Sequence, residues 1–447
     1  MIFSLTCTTT KRNNKPRRRK TNSSPHQHRQ PTRLKIFRQP MTDIPMHSNP
    51  KVEIDTETLK QQFTEAYKVQ VDDADTGVFF SPGRVNLIGE YTDFTGGLVF
   101  PCAIDRGTKL IARRSHNHRY RFMSTNDSFV AELSHEDTQD RSQSQWVRYP
   151  TGVINQFHKL GMNVDGIDLL YSGNIPAGAG LSSSASIEVV TAFALNQLFD
   201  CKLDMLELIK LAQRAENEFV GTQCGIMDQF AVAMGQRDHA LYLDCGSLEY
   251  QSVPMQLGKL TLVIADTGQV RENSESAYND RVADCQQALD ILKNNPEKNT
   301  AINQLAEVTP ALLDQHRTLF ANQPVVERRA RHVANENARV RSAVTALAQS
   351  NFIEFGQLMD ASHASLKSLF EVSSEPLDHM VRIARSQPGV LGSRLTGAGF
   401  GGCTINLLES DSLDGFVRSV GREYSKATSL VPEFYTFQPA DGVRQLA

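Results

Sequence analysis

The sequence predicts a mixed α/β (α+β) protein of two domains behind a basic extension, and three observations predict it. The 447 residues are 40% apolar and 22% charged, the balance of a globular chain long enough for two or three cores. Short strand-like runs bounded by turn residues alternate with longer segments of helical period. Around 254–259 the pattern changes to a helix-rich second half, which places a domain boundary near residue 255. The expected division is 1–50, 51–255 and 256–447, with no internal repeat.

Residues 1–50 hold eleven of the 47 Lys and Arg but only one of the 50 acids, Asp43. The run 11–20, followed by Pro, Ser, His and Gln, carries too little apolar surface to offset its ordering entropy, so disorder is expected. A basic arm and a transit-like segment are alternatives to a dispensable extension before a working start at Met41 or Met46, and the extension is preferred. The other 36 basic and 49 acidic residues give the body a net charge of −13, which argues against nucleic-acid binding by its surface.

Strand-like runs follow at 78–80, 109–112, 166–171 and 240–243, with helical spacing at 153–160, 187–199 and 203–220. Beyond the boundary come a strand at 260–265 and helices near 277–292, 335–349, 352–369 and 376–385. A strand pair, 393–396 and 403–407, flanks a glycine turn. No run approaches the roughly eighteen apolar residues of a membrane span. The seven cysteines have neither a Cys-x-x-Cys pair nor zinc spacing. A reducing compartment, the cytoplasm, is expected.

Four segments carry chemistry. The run 176–186, Pro-Ala-Gly-Ala-Gly-Leu-Ser-Ser-Ser-Ala-Ser, abuts the apolar segment 187–199. Glycines bring backbone amides close to a ligand, and a helix N-terminus adds unpaired N–H groups, so a polyphosphate cradle is preferred to a linker. The sequence lacks both the Gly-x-x-x-x-Gly-Lys-[Ser/Thr] loop and the protein-kinase motifs. Neutralising charge must then come from a metal and side chains elsewhere. Met205, Ile209, Ala212, Glu216 and Phe219 fall three and four apart, so Glu216 sits in an apolar stripe and needs a partner. An ordinary ion pair would serve, as would Mg²⁺ shared with Ser184.

In 81–97, Arg84 and Asn86 share a face, and Glu90 and Asp93 follow Gly89, where the chain can turn. Two carboxylates with an arginine suit a polyol; a surface hairpin with solvated charges is the alternative. In 221–230, Asp228 lies where a helix begins, and helix capping is the plainer reading of that segment alone. The fourth segment, 395–402, has four glycines, more than a hairpin needs, which points to backbone pressed against a ligand.

Together these segments, in this order and spacing, resemble the signatures of the GHMP kinase family of small-molecule kinases, from about Phe79 to the C-terminus. Pro-Gly-Arg-Val-Asn-Leu-Ile-Gly-Glu resembles the sugar-kinase motif, Gly-Ala-Gly-Leu-Ser-Ser-Ser-Ala-Ser the phosphate loop, and Gly-Ile-Met-Asp-Gln-Phe the catalytic aspartate segment. Gly-Phe-Gly-Gly resembles the late turn. The resemblance implies a fold with an N-terminal domain like ribosomal protein S5 domain 2 and a ferredoxin-like C-terminal domain, the active site between them. It implies an ATP- and Mg²⁺-dependent kinase acting on the C1 hydroxyl of α-D-galactose. Its alternatives are a kinase for N-acetylgalactosamine or arabinose and a non-catalytic sugar and ATP sensor.

By the same resemblance Asp228 is the catalytic carboxylate and Arg84 its partner. Glu90, Tyr91, Thr92, Asp93, Gly225 and Tyr278 meet the sugar. Gly178, Ala179, Gly180, Leu181, Ser182, Ser183 and Ser184 cradle ATP, with Ser124 a further nucleotide contact, and Ser184 and Glu216 hold Mg²⁺. Tyr91 and Phe94 stand where the family has His and Tyr, and 270–273, Val-Arg-Glu-Asn, departs from the usual pattern and runs one residue shorter. Galactose and ATP are the partners implied, with no membrane and no chain beyond a monomer or weak oligomer.

Overall fold

The computed structural model describes residues 55–69, 71, 75–141, 145–176, 178–269, 274–295 and 302–446. The basic extension at 1–50 and the departure at 270–273 lie outside them. All of these described residues belong to one compact unit.

A six-stranded sheet runs in the spatial order Arg444–Gln445, Thr76–Asn86, Pro101–Arg114, Ile167–Gly173, Tyr120–Ser124 and Ala131–Leu133. Its central hairpin pairs Thr76 with Arg113 through to Asn86 with Pro101, and the register shifts between Pro82 and Arg84. Pro82 has no N–H to give the ladder, so a bulge falls there and reorients the residues that follow. A Cβ on Gly83 would lie 2.6 Å from the Leu181 carbonyl. Only glycine lets this strand close on the phosphate loop, where Arg84 N donates to Leu181 O at 3.1 Å.

The helix Ser183–Leu198 crosses that sheet and is buried almost all round, as its apolar run requires, through Ala185, Val189, Val190, Ala192 and Leu195. The next helix, Met205–Arg214, opens on a capping box between Asp204 and Glu207. The helix expected over 203–220 forms from Met205 to Val220, but its winding changes partway. From Ala215 the chain widens into a π-turn, Ala215–Val220, closed by Gly221 N to Glu216 O at 2.9 Å. Such turns rotate the residues after them and recur at functional sites.

A second sheet orders Val390–Leu395, Cys403–Glu409, Leu260–Asp266 and Glu433–Thr436. One face packs on the helices Glu375–Arg385 and Leu413–Thr428 through Met380, Ile383, Phe416 and Val420. The other joins a core with Val340 and Met359 of the helices Pro324–Ala348 and Phe352–Ser365, and with Val85, Leu87 and Phe100 from the first half. A three-stranded sheet of Leu98–Val99, His239–Asp244 and Tyr250–Pro254 completes the frame.

Candidate active site

A cavity of about 160 Å³ opens where three of the four motif segments meet, 81–97, 221–230 and 395–402. Arg84, Glu90, Tyr91, Asp93, Glu216, Asp228 and Tyr278 all line it, with Gly397 and Ala398 from the late turn.

Asp228 lies in the first turn of the helix Met227–Met234, where Ile226 is the cap residue and no side chain caps the amides, so the capping role is not what it performs. Arg84 Nε and Nη2 donate to its two oxygens at 2.7 and 2.6 Å, and Arg84 Nη1 donates to Gly180 O at 2.7 Å. One guanidinium thus joins the carboxylate to the phosphate loop, a planar two-point pairing that fixes orientation. Ser182 Oγ donates to Asp228 Oδ2 at 2.6 Å, so this serine faces the carboxylate.

Gly178, Gly180, Ser183 and Ser184 form the open part of the loop, while Ala179 and Leu181 anchor it in the core. Ser182 holds a left-handed backbone, φ 62°, and no side chain caps the helix that starts at Ser183. Its first amides therefore have no side-chain acceptor, as an anion-binding turn requires.

Glu216 lies at the cavity edge, with the Ser184 side chain near enough to favour its ionised form. Burial, and then the charge of Asp228, push its carboxyl up. Gln229, the neighbour of Asp228, donates from Nε2 to Glu216 at 2.7 Å and to the fully buried Glu188 at 3.1 Å. Among the described residues no group of three or more His, Cys, Asp or Glu is arranged around a common metal position. A carboxylate beside a hydroxyl is nevertheless a fitting donor set for Mg²⁺, which keeps waters and takes phosphate oxygens for the rest of its shell.

The sugar-motif segment is buried, so the surface-hairpin reading fails. Glu90 is 2% exposed; Arg394 Nη2 lies 2.6 Å from its Oε2, and Gly397 N donates to Oε1 at 2.8 Å. Asn86 and Thr396 add further donors. Burial raises the Glu90 carboxyl against the pull of Arg394. Asp93 is pushed up to about 7, first by burial and then by the charge of Asp228. A Cβ on Gly225 would come within 2.2 Å of Asp93 Oδ2, so the absence of a side chain there lets the carboxylate sit in the cavity.

Tyr91 lies with φ 64° and stacks on Tyr278 and Phe370, ring centroids 5.2 and 4.6 Å away. Its hydroxyl donates to Ala398 O at 2.5 Å.

Thr92 and Ser124 do not line the cavity, and neither do Gly225 and the loop 178–184, which border it through Asp93, Arg84 and Asp228. The Thr92 hydroxyl, fully buried, lies 2.7 Å from Leu98 O and 2.9 Å from Gly89 O and serves the loop's own folding. Ser124 ends its strand with Oγ accepting from Asn126 N at 3.1 Å and lies outside the lining. Sequence reasoning missed Glu188, Gln229, Arg394 and Thr396. Glu188 alone carried a signal, a charge within an apolar helix; the others acquire their partners only through the fold.

The family model for the GHMP kinases N terminal domain matches residues 148–236, the galactokinase galactose-binding signature 61–114, and the GHMP kinases C terminal model 343–426. A galactokinase of Fusobacterium nucleatum is 42% identical over 389 residues, 86% of this chain and 98% of that one. One of Clostridium tetani is 44% identical over 389 residues, 87% and 97% of the two chains. The crystal structure of Lactococcus lactis galactokinase complexed with galactose superposes with TM-score 0.83 at 37% identity, covering 87% of this chain and 99% of that one. A mevalonate kinase from Methanococcus jannaschii, at TM-score 0.58 and 18% identity over 82% of this chain and 99% of its own, shares the fold.

Proposed function

Because this chain belongs to the galactokinases of the GHMP kinase family, we propose that it transfers the γ-phosphoryl group of ATP to the C1 hydroxyl of α-D-galactose, giving galactose 1-phosphate and ADP. The observation that carries this reading is the two-point Arg84–Asp228 pair, set between the phosphate loop and the cavity. The galactose C1 oxygen attacks the γ-phosphorus, the bond to the β–γ bridging oxygen breaks, and the hydroxyl proton passes to Asp228. Arg84 balances the carboxylate and stabilises charge developing on the reacting oxygens. Glu90, Asp93, Tyr278 and the Gly225 backbone receive the remaining sugar hydroxyls. The loop from Gly178 to Ser184 takes the phosphates through backbone amides, with Ser124 on the nucleotide side. Ser184 and Glu216 would hold Mg²⁺, whose chemistry is to neutralise the polyphosphate.

The acidic body and the scattered thiols support a cytoplasmic enzyme acting on galactose for catabolism, as a monomer or weak oligomer. Among the described residues no helix is long and apolar enough to cross a membrane. The test is ADP release with galactose, N-acetylgalactosamine, arabinose, mevalonate and homoserine. Galactose should be turned over fastest. Absence of galactose turnover overturns the reading, binding without turnover identifies a sensor, and faster turnover of another sugar reassigns the substrate.

A further inference from the structure

Tyr91 does more than line the sugar cavity. Its hydroxyl donates to Ala398 O at 2.5 Å, while the preceding residue, Glu90, accepts from Gly397 N at 2.8 Å and from Thr396 Oγ1 at 3.2 Å. Two consecutive residues of the sugar loop thus hold three consecutive residues of the glycine turn. On its other side that turn meets the phosphate loop: a Cβ on Gly397 would lie 3.0 Å from Gly180 O. Gly180 O is the carbonyl that also accepts from Arg84 Nη1 at 2.7 Å.

The turn is able to transmit a displacement. Gly397, Gly399, Phe400, Gly401 and Gly402 all have positive φ, between 56° and 125°. Phe400, at 56°, pays a steric penalty there that a glycine would not. Phe400 N is held by Val372 O at 2.8 Å, so its far end is fixed while Gly397 and Ala398 are held by the sugar loop. The Tyr91 ring in turn lies against Tyr278, a cavity wall, so a sugar in the cavity bears on it directly.

We propose that Tyr91 is a positioning residue that couples the sugar pocket to the phosphate loop, through its hydrogen bond to Ala398 and the Gly397–Gly180 contact, so that galactose and nucleotide each tighten the other's binding. The coupling is reciprocal, because linkage requires each ligand to change the other's affinity by the same factor. This inference rests on the galactokinase reading above.

The test is titration calorimetry of galactose with and without saturating ADP, on the full chain, for wild type, Tyr91→Phe and Tyr67→Phe. Tyr91→Phe keeps the ring and removes the hydroxyl. Tyr67→Phe deletes a comparable buried bond, to Leu169 O at 2.8 Å, remote from the cavity, and reports on stability alone. Thermal melts confirm that each variant is folded. Wild type and Tyr67→Phe should bind galactose about fivefold or more tighter with ADP present, the lower end of typical coupling. In Tyr91→Phe the factor should fall close to one, whatever the change in galactose affinity without ADP, because coupling is read as the ratio of the two affinities. Equal coupling in wild type and Tyr91→Phe overturns the proposal, as does wild type without coupling or loss of coupling in both variants. Wild type that binds no galactose at all overturns the substrate reading instead.

Discussion

Asp93 holds the most distinctive charge in the cavity. Its carboxyl, pushed up to about 7 by burial and by Asp228, is half protonated at neutral pH in the free protein. Sugar hydroxyls donate to a carboxylate, so galactose should favour the ionised form and expel a proton. Galactose affinity is expected to fall as pH drops from 8 to 6, and proton release should appear as a dependence of binding enthalpy on buffer ionisation. Stability moves the other way. A carboxyl whose folded value lies above its unfolded one contributes fully below the unfolded pKa, and the contribution is lost as pH rises through about 7. Asp93→Asn should flatten the fall in melting temperature between pH 4 and 7; an unchanged slope would show that another group titrates. Of the site's residues, Glu216 was legible in the sequence because a charge in an apolar helical stripe needs a partner. Asp228 was not. A carboxylate near a helix start looks like a cap, and its partner is an arginine 144 residues earlier. Arg394 and Gln229 escaped notice for the same reason: a local pattern does not disclose a partner brought by the fold.

Among elements, several with strong period were read correctly, one such helix was missed, and those whose form depends on tertiary contact were not read. The strand at 260–265 and the helix at 376–385 lie within Leu260–Asp266 and Glu375–Arg385. The helix Leu413–Thr428 was missed although Phe416, Val417, Val420 and Tyr424 form a buried face, because Gly415, Gly421 and two serines dilute the pattern. The π-turn at Ala215–Val220 was read as plain helix, since one residue of extra width leaves no mark in composition. The loop 221–226, which joins that turn to the helix Met227–Met234, is shaped around Asp93 through Gly225. Gly225→Ala would press a Cβ onto Asp93 Oδ2, and overpacking of this kind costs about 1–3 kcal/mol. The galactose KM should rise roughly tenfold or more, with a smaller change in kcat; steady-state kinetics would show it. Unchanged KM would mean that Asp93 is not a sugar contact.

The whole chain is an acidic body of net charge −13 that follows a basic extension at 1–50. Every cavity wall comes from beyond residue 83, and the sheet that carries Arg84 is closed by Arg444–Gln445 at the other end of the chain. Removal of residues 1–40 should therefore leave kcat, KM and melting temperature unchanged; a large loss in any of them would give the extension a role in the fold. From residue patterns alone the frame of three sheets was foreseen only as a class, and the form of its two domains came from the family resemblance. Its assembly depends on pairings such as Phe79 with Gln445, which no local period encodes. What the frame achieves is to bring Arg84, Asp228 and the phosphate loop into one hydrogen-bonded unit beside the sugar cavity. The most direct test of that unit is Asp228→Asn, comparing galactose affinity by calorimetry with turnover in the presence of ATP and Mg²⁺. If Asp228 takes the proton, turnover should fall by about 10²–10⁴-fold while galactose still binds within a few-fold of wild type. Turnover retained near the wild-type rate would contradict it.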